Sequence, residues 1–212
     1  MDGVLFDSAE FHRLSWHRLA GEAGFRLSDA QFWKSFGRTN PEILANYLGP
    51  DVPRAELLRL SERKEELFRE EARARLRFFP GLEPLLAELR DRGFRMALGT
   101  STPRTNVLFY YRELGLDRFF DACACADDVR RGKPDPEVFL KAAEKLGLPP
   151  PRCVVLEDAY PGLEAARAAG MKSIAVATTH TSEELRRETS ADLILPTAAA
   201  LKPEDVLRLL GG

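Results

Sequence analysis

Apolar residues fall along this chain in two rhythms, and the change between them divides the sequence. From Arg95 onward, short β-rich apolar runs alternate with segments of helical periodicity, the pattern of a parallel sheet covered by helices on both faces. The runs predict strands at Arg95 to Gly99, Ala122 to Ala126, Cys153 to Leu156, Ser173 to Ala177 and Leu193 to Leu195. Start and stop residues bound the helices. Thr102 with Pro103 opens one that stops near Gly115, Asp135 with Pro136 opens one that ends near Gly147, and Gly93 and Gly170 serve as C-terminal stops. Residues 9–77 read differently: they hold almost no β-rich runs but long amphipathic stretches such as Ala55 to Arg77. Breaks around Gly37 to Pro41 and at Gly49 to Pro53 predict four helices there. The expected fold class is α/β, with an all-helical block inserted near the start.

Composition narrows the function classes. The 212 residues, 44% apolar and 30% charged, suffice for one large domain or two small ones and exclude a disordered chain. The 31 basic and 33 acidic side chains leave a formal charge of −2, without the basic surplus that nucleic acid binding requires. No apolar run approaches the roughly 20 residues of a spanning helix, and the first residues lack a signal-peptide pattern. A soluble, cytoplasmic protein is expected, with no nucleic acid or membrane partner and monomeric by default. Cys123, Cys125 and Cys153 are odd in number and lack CxxC spacing, so neither a disulfide framework nor a zinc site is suggested.

Four clusters carry candidate chemistry, each expected at the end of a strand, where open α/β sheets bind ligands. The first is Asp2-Gly3-Val4-Leu5-Phe6-Asp7-Ser8, an acidic residue followed by a glycine that lets the backbone turn away. By itself that pair is a turn signal. The second, Gly99-Thr100-Ser101-Thr102-Pro103, sets hydroxyls and free N–H groups at a helix N-terminus, which suits a phosphate; helix capping by Thr102 explains it equally without a ligand. In the third, Arg131-Gly132-Lys133-Pro134-Asp135-Pro136, a lysine is restrained between glycine and proline, the bland alternative being a solvated surface lysine. The fourth is Val154-Val155-Leu156-Glu157-Asp158, followed by Pro161-Gly162. Its two carboxylates at a strand end suit a hard cation such as Mg²⁺; capping by Asp158 is the alternative, and it leaves Glu157 unexplained.

These clusters, in this order and with a helical block after the first, resemble the haloacid dehalogenase superfamily, in particular its β-phosphoglucomutase and sugar-phosphate phosphatase subgroup. The resemblance covers essentially all 212 residues, including the tail Ala177-Thr178-Thr179-His180-Thr181. It implies a Rossmann-like three-layer core of parallel sheet from residues 1–8 and 78–212, with residues 9–77 as a helical cap domain that closes over the site. It also implies a Mg²⁺-dependent phosphatase of small phosphorylated metabolites acting through an aspartyl-phosphate. The alternatives are a phosphohexomutase, and a catalytically silent homologue that binds a phosphate ligand or a partner.

By resemblance, each position takes a role. The family's DxDG motif supplies a nucleophilic aspartate and an acid–base aspartate, and Asp2 matches the second. The first would stand immediately before Met1, at the end of the sheet's central strand. The sequence as given is therefore expected to be inactive, through a misplaced start or a natural shortening, and its sheet to be distorted, rearranged or filled by another segment. Thr100, with the backbone of Ser101, would hold the phosphoryl oxygens, Lys133 would offset their charge, and Asp158, with Glu157 close by or through water, would hold Mg²⁺ together with the first aspartate and the backbone carbonyl of Asp2. In the cap, His12, Arg38, Asn40 and Lys64 would meet substrate. The mutase has an arginine for the distal phosphate where this chain has Asn40, which favours hydrolysis.

Overall fold

The computed structural model describes residues 1–35, 38–49 and 51–211 and divides into two compact units, Ser8–Leu76 and Met1–Asp7 with Arg77–Gly212. Each is built by its own rhythm of apolar positions.

Among the described residues the smaller unit contains four helices, α1 (Ala9–Ala23), α2 (Asp29–Ser35), α3 (Asn40–Leu48) and α4 (Arg54–Ala72). Trp16, Leu19 and Ala20 of α1 recur at helical spacing and pack with Phe32, Ile43, Leu44, Leu60 and Leu67 into one apolar core. Gly24, at φ +75°, ends α1 in the left-handed region that glycine adopts freely. Thr39 and Glu42 form the capping box of α3. The long amphipathic stretch expected to reach Arg77 stops earlier: α4 ends at Ala72, and Ala74 takes a positive φ of 56° that no helix continues through.

The larger unit alternates helix and strand as its sequence pattern predicts: α5 (Leu82–Asp91), β1 (Ala97–Gly99), α6 (Arg104–Leu114), β2 (Ala122–Ala124), α7 (Glu137–Leu146), β3 (Val154–Glu157), α8 (Tyr160–Ala168), β4 (Lys172–Val176), α9 (Ser182–Glu188), β5 (Leu193–Leu195) and α10 (Pro203–Leu209). All pairings are parallel, but the strands form two sheets, β1–β2 and β3–β4–β5. The registers are Ala97 to Ala122 in the first sheet, and Val154 to Lys172 and Ile174 to Leu193 in the second. Helix α7 lies over β1 and β2, α8 lies over β3 and β4, and the two helices touch. Their contact carries one apolar cluster across both sheets, from Ala124, Val138 and Phe139 to Val155, Ala165 and Met171.

Between β1 and β3 lies a cavity of about 530 Å³, walled by apolar side chains of α5, α7, α10 and the two strands. The first residues of the chain do not form a strand. Met1 to Phe6 fold into a turn, with Gly3 N–H bonded to the Phe6 carbonyl at 2.9 Å and Leu5 N–H to the Met1 carbonyl at 2.7 Å. No helix among the described residues is long and apolar enough to cross a membrane.

Candidate active site

The C-terminal ends of β1 and β3 converge on one side chain. Lys133 Nζ bonds Glu157 Oε2 at the end of β3 at 2.8 Å and the Gly99 carbonyl at the end of β1 at 3.3 Å, with the Phe139 ring centroid 4.6 Å away. Beside Gly99, Thr100 is buried, and its Oγ1 accepts the Thr102 N–H at 3.2 Å and donates to Thr102 Oγ1 at 3.0 Å. Thr102 Oγ1 in turn stands 3.5 Å from Asp2 Oδ2. Gly3 holds the turn against Asp158 so tightly that a Cβ there would lie 1.9 Å from Asp158 Oδ2, and its φ of +70° also demands glycine. The loop after β4 closes the cluster: Thr178 donates to the Gly3 carbonyl and Thr179 donates to Asp158 Oδ2. Ser101 is exposed at the rim. Thr100, Lys133, Glu157, Asp158 and Asp2 thus share one neighbourhood.

Three corrections to the local readings follow. Thr102 does not cap α6; the helix begins at Arg104, whose N–H is taken by Asp127 Oδ2 at 2.8 Å from the loop after β2. That leaves the Thr100 and Thr102 hydroxyls turned to the site. Asp158 does not cap α8 either. The N-cap, Ala159, has no side-chain partner for the helix N–H groups, and Glu157 Oε1 accepts the N–H groups of Asp158 and Ala159 in the turn just before the helix, at 3.2 and 3.3 Å. Gly162 makes room for it, since a Cβ at 162 would come within 2.3 Å of the carboxylate. The third correction is to the run Ala122 to Ala126, which is strand only as far as Ala124, because Asp128 Oδ2 takes the Cys125 N–H and turns the chain.

Charge in this cluster is uneven. Burial works to raise the Glu157 carboxyl, and the adjacent Lys133 ammonium overcomes it and holds the group below its ordinary value. Among the described residues Asp158 forms no side-chain ion pair, and the N-terminal ammonium of Met1 is the smallest of the influences on its carboxyl, working to lower it. Burial pushes its carboxyl up to about 6, the Thr179 hydrogen bond works against that shift, and the Glu157 charge adds to it. Among the described residues no three His, Cys, Asp or Glu side chains stand close enough together to hold a metal ion. An all-oxygen pair of buried carboxylates with excess negative charge nevertheless fits Mg²⁺, which binds through one or two carboxylates and keeps water and phosphate as its other ligands.

A second buried polar cluster lies within the smaller unit. Lys64, only 2% exposed, places Nζ 2.6 Å from His12 Nδ1 and 2.9 Å from Glu65 Oε1, and Asn40 Nδ2 donates to the same Glu65 oxygen at 2.8 Å. His12 stacks on Phe68, centroids 4.1 Å apart. Burial and then the Lys64 charge push His12 down to about 3, so the imidazole is neutral; Lys64, Asn40 and His12 together overcome burial and hold Glu65 at about 2. Three of the four cap residues singled out in the sequence are therefore partners in one network. The fourth, Arg38, is exposed. Sequence reasoning missed Glu65, Thr178 and Thr179. The run Thr178-Thr179-His180-Thr181 is a visible signal, hydroxyls directly after an apolar strand.

Comparison with known proteins agrees with this geometry. Residues 1–170 match the haloacid dehalogenase-like hydrolase family. A phosphorylated carbohydrates phosphatase of Thermotoga maritima is 31% identical over 99% of this chain and 95% of its own length. The crystal structure of a HAD hydrolase, family IA, variant 3, from Entamoeba histolytica superposes with a TM-score of 0.89 at 26% identity, covering 100% of this chain and 97% of that one. A β-phosphoglucomutase from Clostridium difficile superposes at 0.80 with 27% identity, covering 99% and 94%. With Lys133 joining two strand ends beside Thr100 and a paired Glu157–Asp158, and with a family match over most of its length, this chain belongs to the haloacid dehalogenase-like hydrolases.

Proposed function

We propose that this fold serves a Mg²⁺-dependent phosphatase of small phosphorylated metabolites, sugar phosphates foremost, working through an aspartyl-phosphate. One observation carries the reading: Lys133 spans the ends of β1 and β3 beside Thr100 and Asp158, so a cation, hydroxyls and a carboxylate pair meet at the edge where a phosphoryl group binds. Thr100, with the backbone of Ser101, orients the phosphoryl oxygens. Lys133 offsets their charge and keeps Glu157 ionised. Asp158 and Glu157, with Asp2 nearby, would hold Mg²⁺, which when bound neutralises charge on nucleophile and phosphate. Asp2 gives a proton to the leaving oxygen and takes one from the incoming water. The attacking carboxylate belongs at the end of a strand between β1 and β3, the position just before Met1 in the DxDG order, and residues 1–212 alone are proposed to be inactive for lack of it.

Residues 9–77 are proposed to be the cap that reads substrate, with His12, Lys64, Asn40 and Arg38 as its contacts. Asn40 supports hydrolase over mutase: its amide is bound to Glu65, and it brings no cation to grip a second phosphate. The relative that acts on phosphorylated carbohydrates supports the substrate class.

The test compares residues 1–212 with a form extended by an apolar strand ending in aspartate, assayed on a panel of phosphate esters with and without Mg²⁺. Turnover by the extended form alone, and only with Mg²⁺, is the expected result. Absence of turnover in both forms overturns the phosphatase reading, and turnover by residues 1–212 alone overturns the assigned nucleophile.

A further inference from the structure

The run Thr178-Thr179-His180-Thr181 holds three hydroxyls in four residues, and each hydroxyl has a different destination. Thr181 is the N-cap of α9: its Oγ1 accepts the Glu184 N–H at 3.2 Å, and Glu184 Oε2 accepts the Thr181 N–H at 2.9 Å. Thr178 donates to a backbone carbonyl, that of Gly3. Of the three, Thr179 is the one that gives its hydroxyl to a carboxylate of the candidate site, Oδ2 of Asp158.

The bridge that carries Thr179 is short and fixed at both ends. Ala177 N–H bonds the Leu195 carbonyl at 2.9 Å, which continues the pairing of β4 with β5, and the capping box anchors Thr181. Between these points His180 stacks on Tyr160, with ring centroids 4.0 Å apart and the planes inclined by 17°. Tyr160 is the first residue of α8 and stands two positions after Asp158. The stack therefore ties the segment that bears the hydroxyl to the helix start that bears the carboxylate. The bond from Thr179 to Asp158 closes this ring of contacts.

A hydroxyl that donates to one oxygen of a carboxylate fixes the plane of the group and leaves the other oxygen for a cation. Such outer partners are worth about 10–100-fold in metal affinity. We infer, given the reading of Glu157 and Asp158 as the Mg²⁺ site, that Thr179 is a positioning residue that presents the Asp158 carboxylate to the cation, and that the His180–Tyr160 stack holds Thr179 to this task. A hydroxyl that served only the packing of the loop would cost stability when removed and leave the affinity for the cation as it was.

The probe is Mn²⁺, which takes the oxygen ligands that Mg²⁺ takes and whose free form is counted by electron paramagnetic resonance. It is titrated without substrate into residues 1–212 and into the form extended by an apolar strand ending in aspartate, with Asp158→Asn defining loss of the site. Thr179→Val keeps the shape of the side chain and removes the hydroxyl, whereas Thr179→Ser keeps the hydroxyl. The valine variant is expected to bind Mn²⁺ about 10–100-fold more weakly than the parent, and the serine variant to bind like the parent. His180→Ala is expected to weaken binding about two- to tenfold, the worth of an aromatic pair, and His180→Phe, which keeps a ring on Tyr160, to restore it. Thr181→Val is the control for a loosened loop: it removes the cap of α9, lowers the urea midpoint and leaves the affinity unchanged. Equal affinity in Thr179→Val and the parent, or an equal loss in Thr181→Val, overturns the inference and leaves the metal site standing. Should Thr179→Val not fold, the two His180 variants decide, and equal affinity in them overturns it. If the parent, in both forms, binds Mn²⁺ no more tightly than Asp158→Asn, the metal reading falls and the inference with it. No ester is turned over in these titrations, so a chain that binds Mn²⁺ in the expected pattern but hydrolyses no ester removes only the phosphatase reading.

Discussion

Both units bury a lysine against a glutamate, at nearly the same distance, 2.9 Å for Lys64–Glu65 and 2.8 Å for Lys133–Glu157. Their surroundings differ. In the helical unit the pair is joined by neutral groups, the His12 imidazole and the Asn40 amide, beside the one lysine and the one glutamate. In the sheet unit a second buried carboxylate, Asp158, stands next to Glu157, and burial leaves its carboxyl raised to about 6. A balanced network fixes side chains in place, whereas an unbalanced one keeps negative charge in reserve for a cation. This contrast, more than burial or distance, separates the proposed substrate-reading residues from the proposed metal and phosphate site.

The largest test breaks the balanced network. Lys64→Met leaves the Glu65 carboxylate buried without its cation and is expected to cost about 3–5 kcal/mol in urea unfolding. The double variant Lys64→Met with Glu65→Met removes both charges and should recover much of that loss. If the single variant costs no more than the double, Lys64 is not the group that offsets Glu65, and the contrast between the units fails.

Next in size is a steric test in the sheet unit. Gly162→Ala puts a methyl group against the Glu157 carboxylate, with atoms 2.2 to 2.3 Å from the added Cβ, so the side chain or α8 must shift. A loss of about 1–3 kcal/mol is expected in thermal unfolding. Mg²⁺ binding, followed by calorimetry, should weaken with it. Unchanged stability would mean that Glu157 is free to move and is not the fixed partner of Lys133.

Opposite in sign is Asp158→Asn. It removes a charge that burial and Glu157 both disfavour, while the amide oxygen still accepts the Thr179 hydroxyl. Without metal this variant should be more stable than the parent by roughly 1–2 kcal/mol at pH 7, and it should lose the stabilisation that Mg²⁺ gives the parent. A destabilised variant would show that Asp158 is already matched by a positive partner.

How far the sequence reveals these features depends on whether each rests on neighbours in the chain. The five strands and the glycine stops are local and were legible, as was Gly3, whose turn is written in Asp2-Gly3. Lys133 was legible as a restrained lysine, but its two partners, Gly99 and Glu157, come from other strands and had no local mark. The cap of α6 shows the same limit. A threonine before a proline is the local signal, yet the N–H goes to Asp127, brought by the loop after β2. Thr178 and Thr179 matter only because the end of β4 meets the turn at Gly3, a contact 175 residues apart in sequence for Thr178. The division of the sheet was expected only through family resemblance, since periodicity counts strands and not the spaces between them.

The smallest and most discriminating test uses pH, because the two clusters are expected to respond with opposite sign. In the helical unit, His12 falls from an ordinary 6.5 to about 3, so the unfolded chain binds more protons between those values. Its contribution to stability is complete above about pH 6.5 and is lost as pH falls toward 3; Glu65, held at about 2, adds a further loss below about pH 4.5. Asp158 runs the other way. Its folded carboxyl binds a proton at about 6 and its unfolded one at 3.8, so its cost is complete above pH 6 and fades as pH falls toward 4. The stability gained in Asp158→Asn should therefore shrink steadily from pH 7 to pH 4. His12→Gln, which keeps an acceptor for Lys64, should flatten the acid loss between pH 6.5 and 4.5. Measuring both differences against the parent by urea unfolding across this range cancels every group the variants share. Parallel slopes would mean that the two clusters are electrostatically alike and that the excess charge assigned to Asp158 does not exist.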